Sequence, residues 1–399
     1  MSKAVFKESD CVADMEISST LAVLMEAERL RAEGIKLVDL GAGEPDFNTP
    51  GNVKQAGEQA IEENFTRYTA TSGIAPLRAA ITDMLERDFG AVYDPSQVIV
   101  TMGGKQAIFN AMATLLNTGD DVLIPSPYWV TFPEITKFCG ARPVFIDTEP
   151  NQFILTADMV REAITPRTRL LIINSPNNPS GRIIPPAEFQ KIAEVARERD
   201  VWLISDECYL YFAYPPAVSF TAGQLPDELR SRIMICGSFS KSHAMTGWRL
   251  GFGLGPKDWI QAMLKVQSHS TSNANSITQM AAIEAASGPQ DSVKFMIGEY
   301  QRRRDWLVRA LNEIPGIECD LPEGAFYVMP NVKRLLGGRA NTSADIAKLL
   351  LKEKAVVVTS GSSFGIEGYI RLSYANSLEM IREGVKRIAD LASELNSGK

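Results

Sequence analysis

Histidine, paired cysteine and long apolar runs are scarce in this chain of 399 residues. The chain has only 2 histidines, and its 5 cysteines lie far apart with no CxxC pair. Zinc sites and disulfide frameworks need such residues at short spacings, so neither is expected. We therefore predict a protein without a metal site that works in a reducing compartment, the cytoplasm.

Positive charge is also in deficit, since the formal net charge is -7. A nucleic-acid-binding surface needs an excess of lysine and arginine to replace the counterions of phosphates. The N-terminal sequence MSKAVFKESDCVADME lacks the apolar stretch of an export signal. No apolar run reaches the roughly 18 residues of a membrane span. The sequence thus predicts small-molecule partners, and neither nucleic acid nor a membrane.

Short β-rich runs alternate with helix-like segments over the middle of the chain. The runs are VIVTM (98–102), DVLIP (121–125), PVFID (143–147), LLIIN (170–174), VWLISDE (201–207), IMICGS (233–238) and WRLGFGLG (248–255). Continuous apolar strands between helices are typical of a mainly parallel sheet with both faces covered. Beyond a Ser-Gly-Pro break at 287–289, shorter strands mix with helices. We predict an α/β fold with these parts: an N-terminal arm (1–17), a large domain with a mainly parallel seven-stranded sheet (48–287), and a smaller α+β domain (18–47 plus 288–399).

The segment SFSKSHAMTGWRLGF has a lysine, Lys241, just after a predicted strand. By itself such a lysine is more often a solvated surface charge, because lysine is rarely buried without a partner. Ser238 before it and Arg249 after it could supply the hydroxyl and the fixed cation that bind a phosphate dianion. Arg249 could equally form a structural ion pair.

Two further segments follow predicted strands and contain turn-forming residues. GGKQAIFNAM (103–112) opens a helix with paired glycines, so its free backbone N–H groups could bind an anion. NSPNNPSG (174–181) follows the strand LLIIN. Both segments could also be simple turns, because neither is a recognised phosphate-binding loop.

VWLISDECY places Asp206 at the carboxyl end of an apolar strand, where parallel sheets usually bind ligands. A carboxylate there either caps a helix or has a function. Beside a pyridine nitrogen it would keep that nitrogen protonated, and the ring could then accept electrons from a substrate carbanion. Tyr209 could donate a hydrogen bond to a phenolic oxygen on the same ring.

Eight motifs occur along the chain in one order. They are GAGEPDF (41–47), YTATSGIAPLR (68–78), GGKQAIFN (103–110), SPYW (126–129), NSPNNPSG (174–181), SDECY (205–209), SFSKSHAMTGWRLGF and IRLSYA (370–375). In this order the chain resembles the class I pyridoxal-phosphate-dependent aminotransferases of fold type I over nearly its whole length. It is most similar to the bacterial aspartate aminotransferases that include prephenate-using members. The resemblance implies pyridoxal 5'-phosphate as cofactor and a homodimer with shared active sites.

The resemblance also implies which residues bind the cofactor. Lys241 carries it as an aldimine and afterwards moves the proton between the substrate Cα and the cofactor C4'. Asp206 pairs with the pyridine nitrogen, while Tyr209 and Asn178 bind the phenolic oxygen. Trp129 stacks on the ring, which offers a flat aromatic face. The phosphate is surrounded by Gly104, Lys105, Ser238 and Arg249, and by Tyr68 from the other subunit.

The substrate residues follow from the same resemblance. Arg371 in IRLSY and the backbone N–H of Gly43 bind the α-carboxylate, next to Asn178 and Trp129. The distal carboxylate of a dicarboxylic substrate contacts the residues Lys105, Ser18 and Thr20. The N-terminal arm departs from the family pattern, because Glu-Ile precedes Ser18 where a basic residue and proline are common.

These features predict an aspartate aminotransferase that moves amino groups between aspartate or glutamate and a 2-oxo acid by a ping-pong mechanism. Prephenate is an alternative acceptor. A pyridoxal-phosphate-dependent lyase of the same fold shares the lysine, aspartate and arginine set, so it stays an alternative. A transcription regulator with an aminotransferase-like domain would need a DNA-binding module, for which only about 17 residues precede the first helix.

Overall fold

The computed structural model of the chain describes residues 6–16 and 19–398, without the side chains of 19–24. Its largest sheet has seven strands in the spatial order β2-β8-β7-β6-β5-β3-β4. The strands are β2 (Val98–Thr101), β3 (Asp121–Ser126), β4 (Arg142–Asp147), β5 (Thr168–Asn174), β6 (Trp202–Asp206), β7 (Ile233–Ser238) and β8 (Gly251–Leu254). Each of the seven predicted strands is present, and the predicted mainly parallel sheet is confirmed.

Strand β8 is the exception to the parallel direction, because it pairs antiparallel with both β2 and β7. The other pairs in the sheet are parallel. Since β2 and β7 both oppose β8, they run in the same direction as each other. The carboxyl ends of β2, β3, β5, β6 and β7 therefore meet at one edge of the sheet.

The inner strands of the sheet are largely apolar because helices cover both faces of the sheet. One hydrophobic cluster on the sheet includes Val100, Leu171 and Leu203, and another includes Ile99 and Ile172. Neighbouring side chains of a strand point to opposite faces, so both kinds of position must be apolar. This explains why the sequence shows continuous apolar runs instead of alternation.

The described helices surround this sheet and build the rest of the molecule. They are α1 (Asp10–Ala13), α2 (Ser19–Ala32), α3 (Gly51–Glu62), α4 (Ala75–Phe89), α5 (Gly104–Leu115), α6 (Thr131–Phe138), α7 (Ala157–Ala163), α8 (Pro186–Glu198), α9 (Asp227–Arg230), α10 (Phe239–Ser242), α11 (Lys257–Ser270), α12 (Ser276–Ser287), α13 (Asp291–Asn312), α14 (Ser343–Lys354) and α15 (Leu378–Ser397). Across the described ranges, no helix is long and apolar enough to cross a membrane.

Local sequence sets several helix ends. The side chains of Thr156, Asn275 and Ser377 accept hydrogen bonds from backbone N–H groups in the first turns of α7, α12 and α15. These groups have no partner inside the helix, so the side chains stabilise each start. Helix α4 ends at Gly90, whose φ of 69° lies in the left-handed region that glycine adopts without strain.

Among the described residues, five short strands lie outside the large sheet. They are β1 (Val38–Asp39), β9 (Tyr327–Val328), β10 (Val356–Val357), β11 (Thr359–Ser360) and β12 (Ile370–Ser373). Strands β1 and β10 form a parallel pair, and β12 lies between β11 and β9 in a three-stranded antiparallel sheet. These strands pack with α13, α14 and α15.

This second group of elements has its own hydrophobic core, which draws mainly on residues beyond 296 and on Val38 and Leu40. Its composition supports the predicted division into an arm (1–17), a large domain (48–287) and a small domain (18–47 plus 288–399), which stays a prediction. Tyr209, Phe212 and Tyr214 reach this core from the chain that follows β6. The large sheet and the second core are therefore packed directly against each other.

Candidate active site

The candidate site lies at the edge where the parallel strands of the large sheet end. Asp206 is the last residue of β6, and Lys241 lies in the short helix α10 that follows β7. Gly104 begins helix α5 just after β2. Asn178 follows β5 and Trp129 follows β3. The strand directions thus bring five of the predicted residues to one edge, although they are far apart in sequence.

Lys241 faces the second core across this edge. Its Nζ donates a hydrogen bond of 2.7 Å to the carbonyl oxygen of Gly43. Burial lowers the pKa of Lys241, and the positive charges of Arg249 and Arg371 act in the same direction. A lowered pKa increases the fraction of neutral amine near pH 7, which is the form that can act as a nucleophile or a base.

Asp206 is a buried acid next to this amine. Burial raises the pKa of Asp206 to about 6, although the Cys208 backbone N–H, 3.1 Å from its Oδ1, and the charge of Lys241 favour the carboxylate. Its backbone carbonyl accepts a hydrogen bond of 3.0 Å from the side chain of Asn174, its neighbour on β5. The carboxyl group is therefore held in place and suited to pair with a protonated nitrogen.

Glycines allow Arg249 to lie against the start of helix α5. A Cβ on Gly103 would lie 2.9 Å from the Nη2 atom of Arg249, and a Cβ on Gly251 would lie 2.3 Å from the backbone nitrogen of Gly104. A larger residue at position 103 would displace the Arg249 guanidinium, and one at position 251 would push the backbones apart. Arg249 itself donates to the Thr246 carbonyl oxygen at 2.8 Å. A guanidinium and the N–H groups at a helix start thus face the same space, which suits a phosphate.

The hydroxyl of Ser238 caps the start of helix α10. It lies 2.8 Å from the Ser240 hydroxyl and 3.2 Å from the Leu250 carbonyl oxygen, and it accepts a bond of 3.0 Å from the Ser240 backbone N–H. Lys105 lies in the first turn of α5. Burial lowers the pKa of Lys105, and the charge of Arg249 lowers it further. The Nζ atom of Lys105 lies 4.8 Å from the centre of the Trp129 ring.

Arg371 is a buried cation whose described bonding partners are all uncharged. Only 3% of it is exposed. Its guanidinium donates to Asn178 Oδ1 at 3.0 Å, to the Gly41 carbonyl oxygen at 2.7 Å and to Thr359 Oγ1 at 3.4 Å. Its Nε has no partner among the described residues. A buried charge without a counter-ion is costly, so this position is suited to receive an anionic ligand.

The phenol groups of Tyr209 and Tyr327 meet beneath Arg371. Their oxygens are 2.8 Å apart, and the Arg371 guanidinium lies 4.5 Å from the centre of the Tyr327 ring. Burial raises the pKa of Tyr209 well above its usual range, so this phenol is protonated and can donate. Arg371 thus contacts both Asn178 and Tyr327, and Tyr327 contacts Tyr209.

The described residues do not place three of the predicted site residues in this cluster. Tyr68 is 92% exposed on the surface. Ser18 lies outside the described residues, and so does the side chain of Thr20. Sequence reasoning missed Tyr327, Thr359 and Gly41, which contact Arg371. Nothing in the local sequence separates Tyr327 from other buried tyrosines such as Tyr214, so no sequence signal would have identified it.

Together, the fold and this edge define an α/β protein in which the buried amine of Lys241 lies near two arginines, Arg249 and Arg371. The sequence profile of the family described as aminotransferase class I and II matches residues 35–388. An aspartate aminotransferase of Geobacillus stearothermophilus is 42% identical over 94% of this chain and 96% of its own length. An aspartate/prephenate aminotransferase of Cereibacter sphaeroides is 42% identical over 97% of this chain and 99% of its own.

Solved structures agree with these sequence relatives. The crystal structure of an aspartate aminotransferase from Rhizobium meliloti has a TM-score of 0.94 and 39% identity, over 98% of this chain and 99% of that one. An aspartate aminotransferase from Thermus thermophilus with maleate has a TM-score of 0.92 and 38% identity, over 97% of this chain and 100% of that one.

The chain belongs to the aminotransferase class I and II family, which confirms the predicted family and fold. Membership implies pyridoxal 5'-phosphate as cofactor, and the relatives do not favour the lyase alternative.

Proposed function

We propose that the protein transfers amino groups between aspartate or glutamate and a 2-oxo acid, with pyridoxal phosphate bound at Lys241. The observation that carries this proposal is the position of the Lys241 amine, which has a lowered pKa and lies among Arg249, Arg371 and the buried acid Asp206. Such an arrangement suits a ligand with a phosphate at one end, a carboxylate at the other and a basic nitrogen between them. Pyridoxal phosphate with a bound amino acid has these three groups.

The residues around the amine support a distinct role for each part of the cofactor. Gly104, Ser238 and Arg249 would bind the phosphate, and Asp206 would keep a proton on the ring nitrogen. Trp129 would pack on the ring. The hydroxyl of Tyr209 and the amide of Asn178 would bind the phenolic oxygen. When bound, the cofactor supplies a ring that withdraws the electrons released when the Cα–H bond breaks.

The protein would position the substrate and move one proton. Arg371 would bind the α-carboxylate with two parallel hydrogen bonds, with the backbone N–H of Gly43 as a further donor. This orients the Cα–H bond toward the Lys241 amine. The amine would take the proton from Cα and return it to the neighbouring cofactor carbon, because a neutral amine can accept and donate in turn. Release of the product and reversal with a second 2-oxo acid gives ping-pong kinetics.

A dicarboxylic substrate is supported by a further cation, Lys105, in the first turn of α5. Lys105 keeps an exposed surface beside Trp129 and would bind the distal carboxylate. The hydroxyls of Ser18 and Thr20 would add donors there. Prephenate is a second candidate acceptor, because it also carries two carboxylates and the Cereibacter sphaeroides relative is named for it.

Rapid mixing with a single substrate tests the reaction class. Holoprotein mixed with aspartate alone should lose the absorbance of the resting cofactor and release one oxaloacetate per subunit, since no acceptor is present to complete the cycle. Later addition of a 2-oxo acid should restore the starting spectrum. Continuous formation of pyruvate and ammonia would instead identify a lyase.

The same assay tests the role of Lys105. We expect Lys105→Ala to lower kcat/KM for aspartate by about 10- to 100-fold, and to change kcat/KM for alanine by less than about threefold, since alanine has no distal carboxylate. Lys105→Arg keeps the charge and should keep most of the preference. If Lys105→Ala lowers kcat/KM by the same factor for aspartate and for alanine, Lys105 does not bind the distal carboxylate. Its role would then be limited to the cofactor phosphate.

We also propose a homodimer in which Tyr68 contacts the cofactor phosphate of the other subunit. An aromatic residue that is 92% exposed in one chain supports this arrangement. The variants Tyr68→Ala and Lys241→Ala should each have low activity. After the two are mixed and re-equilibrated, about a quarter of the wild-type sites should be restored, because half of the dimers are mixed and each has one intact site. Mixed samples no more active than their parents would contradict shared sites.

A reducing compartment such as the cytoplasm is proposed for this enzyme. All five cysteines are free thiols, and Cys236 and Cys319 are buried. Free thiols persist where the surroundings are reducing.

A further inference from the structure

We propose that Tyr327 is a positioning residue that orients the hydroxyl of Tyr209 toward the phenolic oxygen of the cofactor. Tyr327 begins strand β9 and pairs with Ser373 on β12, the strand that carries Arg371. It is fully buried, and its hydroxyl lies 2.8 Å from that of Tyr209. The inference rests on the proposed function, because it concerns how Tyr209 binds the cofactor.

The environment of Tyr327 decides which phenol donates to the other. The Arg371 guanidinium lies 4.5 Å from the centre of the Tyr327 ring, on its face. Burial raises the pKa of Tyr327, while the charge of Arg371 and the bond to Tyr209 lower it. The charge of Arg371 lowers the pKa of both phenols, but its guanidinium lies on the face of the Tyr327 ring, so Tyr327 is the better placed of the two to donate.

If Tyr327 donates, the proton of Tyr209 is left free for another acceptor. A hydroxyl has one proton and two lone pairs, so Tyr209 can accept from Tyr327 and donate into the site at once. Hydrogen bonds in such a chain strengthen one another in a buried setting. The reverse order would direct the proton of Tyr209 toward Tyr327 and away from the cofactor.

The Tyr327 hydroxyl is also held on its other side. A Cβ on Gly43 would lie 3.2 Å from it, so the backbone at Gly43 packs closely against this oxygen. The Gly43 carbonyl in turn accepts the hydrogen bond from Lys241 Nζ. The position of Tyr327 is thus set by the same backbone that holds the reactive amine, which leaves its hydroxyl little freedom to move.

The absorbance of the bound cofactor reports on this hydrogen bond, because a donor to the phenolic oxygen stabilises its deprotonated form. In Tyr327→Phe the ring that faces Arg371 is kept and only the hydroxyl is lost. We expect the pKa of the bound cofactor, measured from its absorbance as a function of pH, to rise by about 0.3 to 1 unit. We expect kcat for aspartate to fall by about 2- to 10-fold, with little change in KM, since Arg371 is untouched.

A double-variant cycle separates a positioning role from a general structural one. When Tyr209 is already phenylalanine, Tyr327→Phe should leave the cofactor pKa unchanged, because the effect passes through the Tyr209 hydroxyl. Tyr214→Phe is the matched control: its buried hydroxyl donates to the Ala325 carbonyl oxygen at 2.5 Å, away from the site. This control should lower thermal stability without changing the cofactor pKa.

The possible results distinguish the two proposals. Wild-type protein without a titrating cofactor absorbance would reject the proposed function. A wild-type titration together with an unchanged pKa in Tyr327→Phe would overturn the role of Tyr327 alone. If Tyr327→Phe shifts the cofactor pKa equally with and without the Tyr209 hydroxyl, the proposed role of Tyr327 is also overturned. Tyr327 would then act on the cofactor independently of Tyr209.

Discussion

Replacement of Lys241 by alanine should abolish nearly all turnover while the cofactor still binds. The amine is expected both to hold the cofactor covalently and to move the proton at Cα, so no other described group can replace both actions. We expect kcat to fall by at least about four orders of magnitude. Gly104, Ser238 and Arg249, which we propose to bind the phosphate, remain, so equilibrium dialysis should still detect bound pyridoxal phosphate. Absorbance should show free-aldehyde cofactor in place of the covalent form.

A surface lysine provides the control for this variant. Lys265 lies on the exposed side of α11, and Lys265→Ala should keep wild-type turnover and spectrum. A small primary amine added to Lys241→Ala should restore part of the activity, because it can enter the space left by the side chain and act as the base. Full activity of Lys241→Ala would contradict the assignment of the site itself.

Replacement of Arg371 by methionine should have the second largest effect, on substrate binding. Methionine fills a similar volume but cannot bind a carboxylate, and removing one partner of a buried charged pair typically costs several kcal/mol. We expect kcat/KM for aspartate and for its 2-oxo acid to fall by about 10³- to 10⁵-fold. The cofactor absorbance without substrate should remain, since Lys241 is unchanged.

The stability of the same variant gives a second measurement. Arg371 has no carboxylate partner among the described residues, so its loss should change the free energy of unfolding of the apoprotein by no more than about 1 to 2 kcal/mol. Arg304 is the matched control, because it is also buried but pairs with Asp305 and donates to the Pro322 carbonyl oxygen. Arg304→Met should lower stability and leave KM unchanged. If KM is unchanged in Arg371→Met, Arg371 does not bind the substrate.

Much of the large sheet could be predicted from the sequence because its signals are local. The run VIVTM corresponds to Val98–Thr101, and IMICGS corresponds to Ile233–Ser238. Strands buried on both faces must be continuously apolar, and this property is visible in a few consecutive residues. The same applies to Asp206, the last residue of β6, and to Lys241, three residues after β7, since ligands usually bind at the carboxyl ends of parallel strands.

Contacts between distant parts of the chain could not be predicted in this way. The bond from Lys241 to Gly43 joins residues 198 positions apart, and the pair formed by Tyr209 and Tyr327 joins residues 118 positions apart. Each depends on how the second core packs against the sheet edge, which no local pattern encodes. The resemblance to a family supplied Arg371 and Asn178 as site residues, but not their direct hydrogen bond.

The sequence by itself determined the order of strands and helices, the amine and the acid at strand ends, and the family. Tertiary structure alone decided the electrostatics of the site: that Lys241 has a lowered pKa, that Arg371 is buried beside uncharged acceptors, and that Tyr327 faces both Arg371 and Tyr209. The physical reason is that hydrophobic periodicity depends on neighbouring residues, whereas burial and charge pairing depend on groups that only folding brings together.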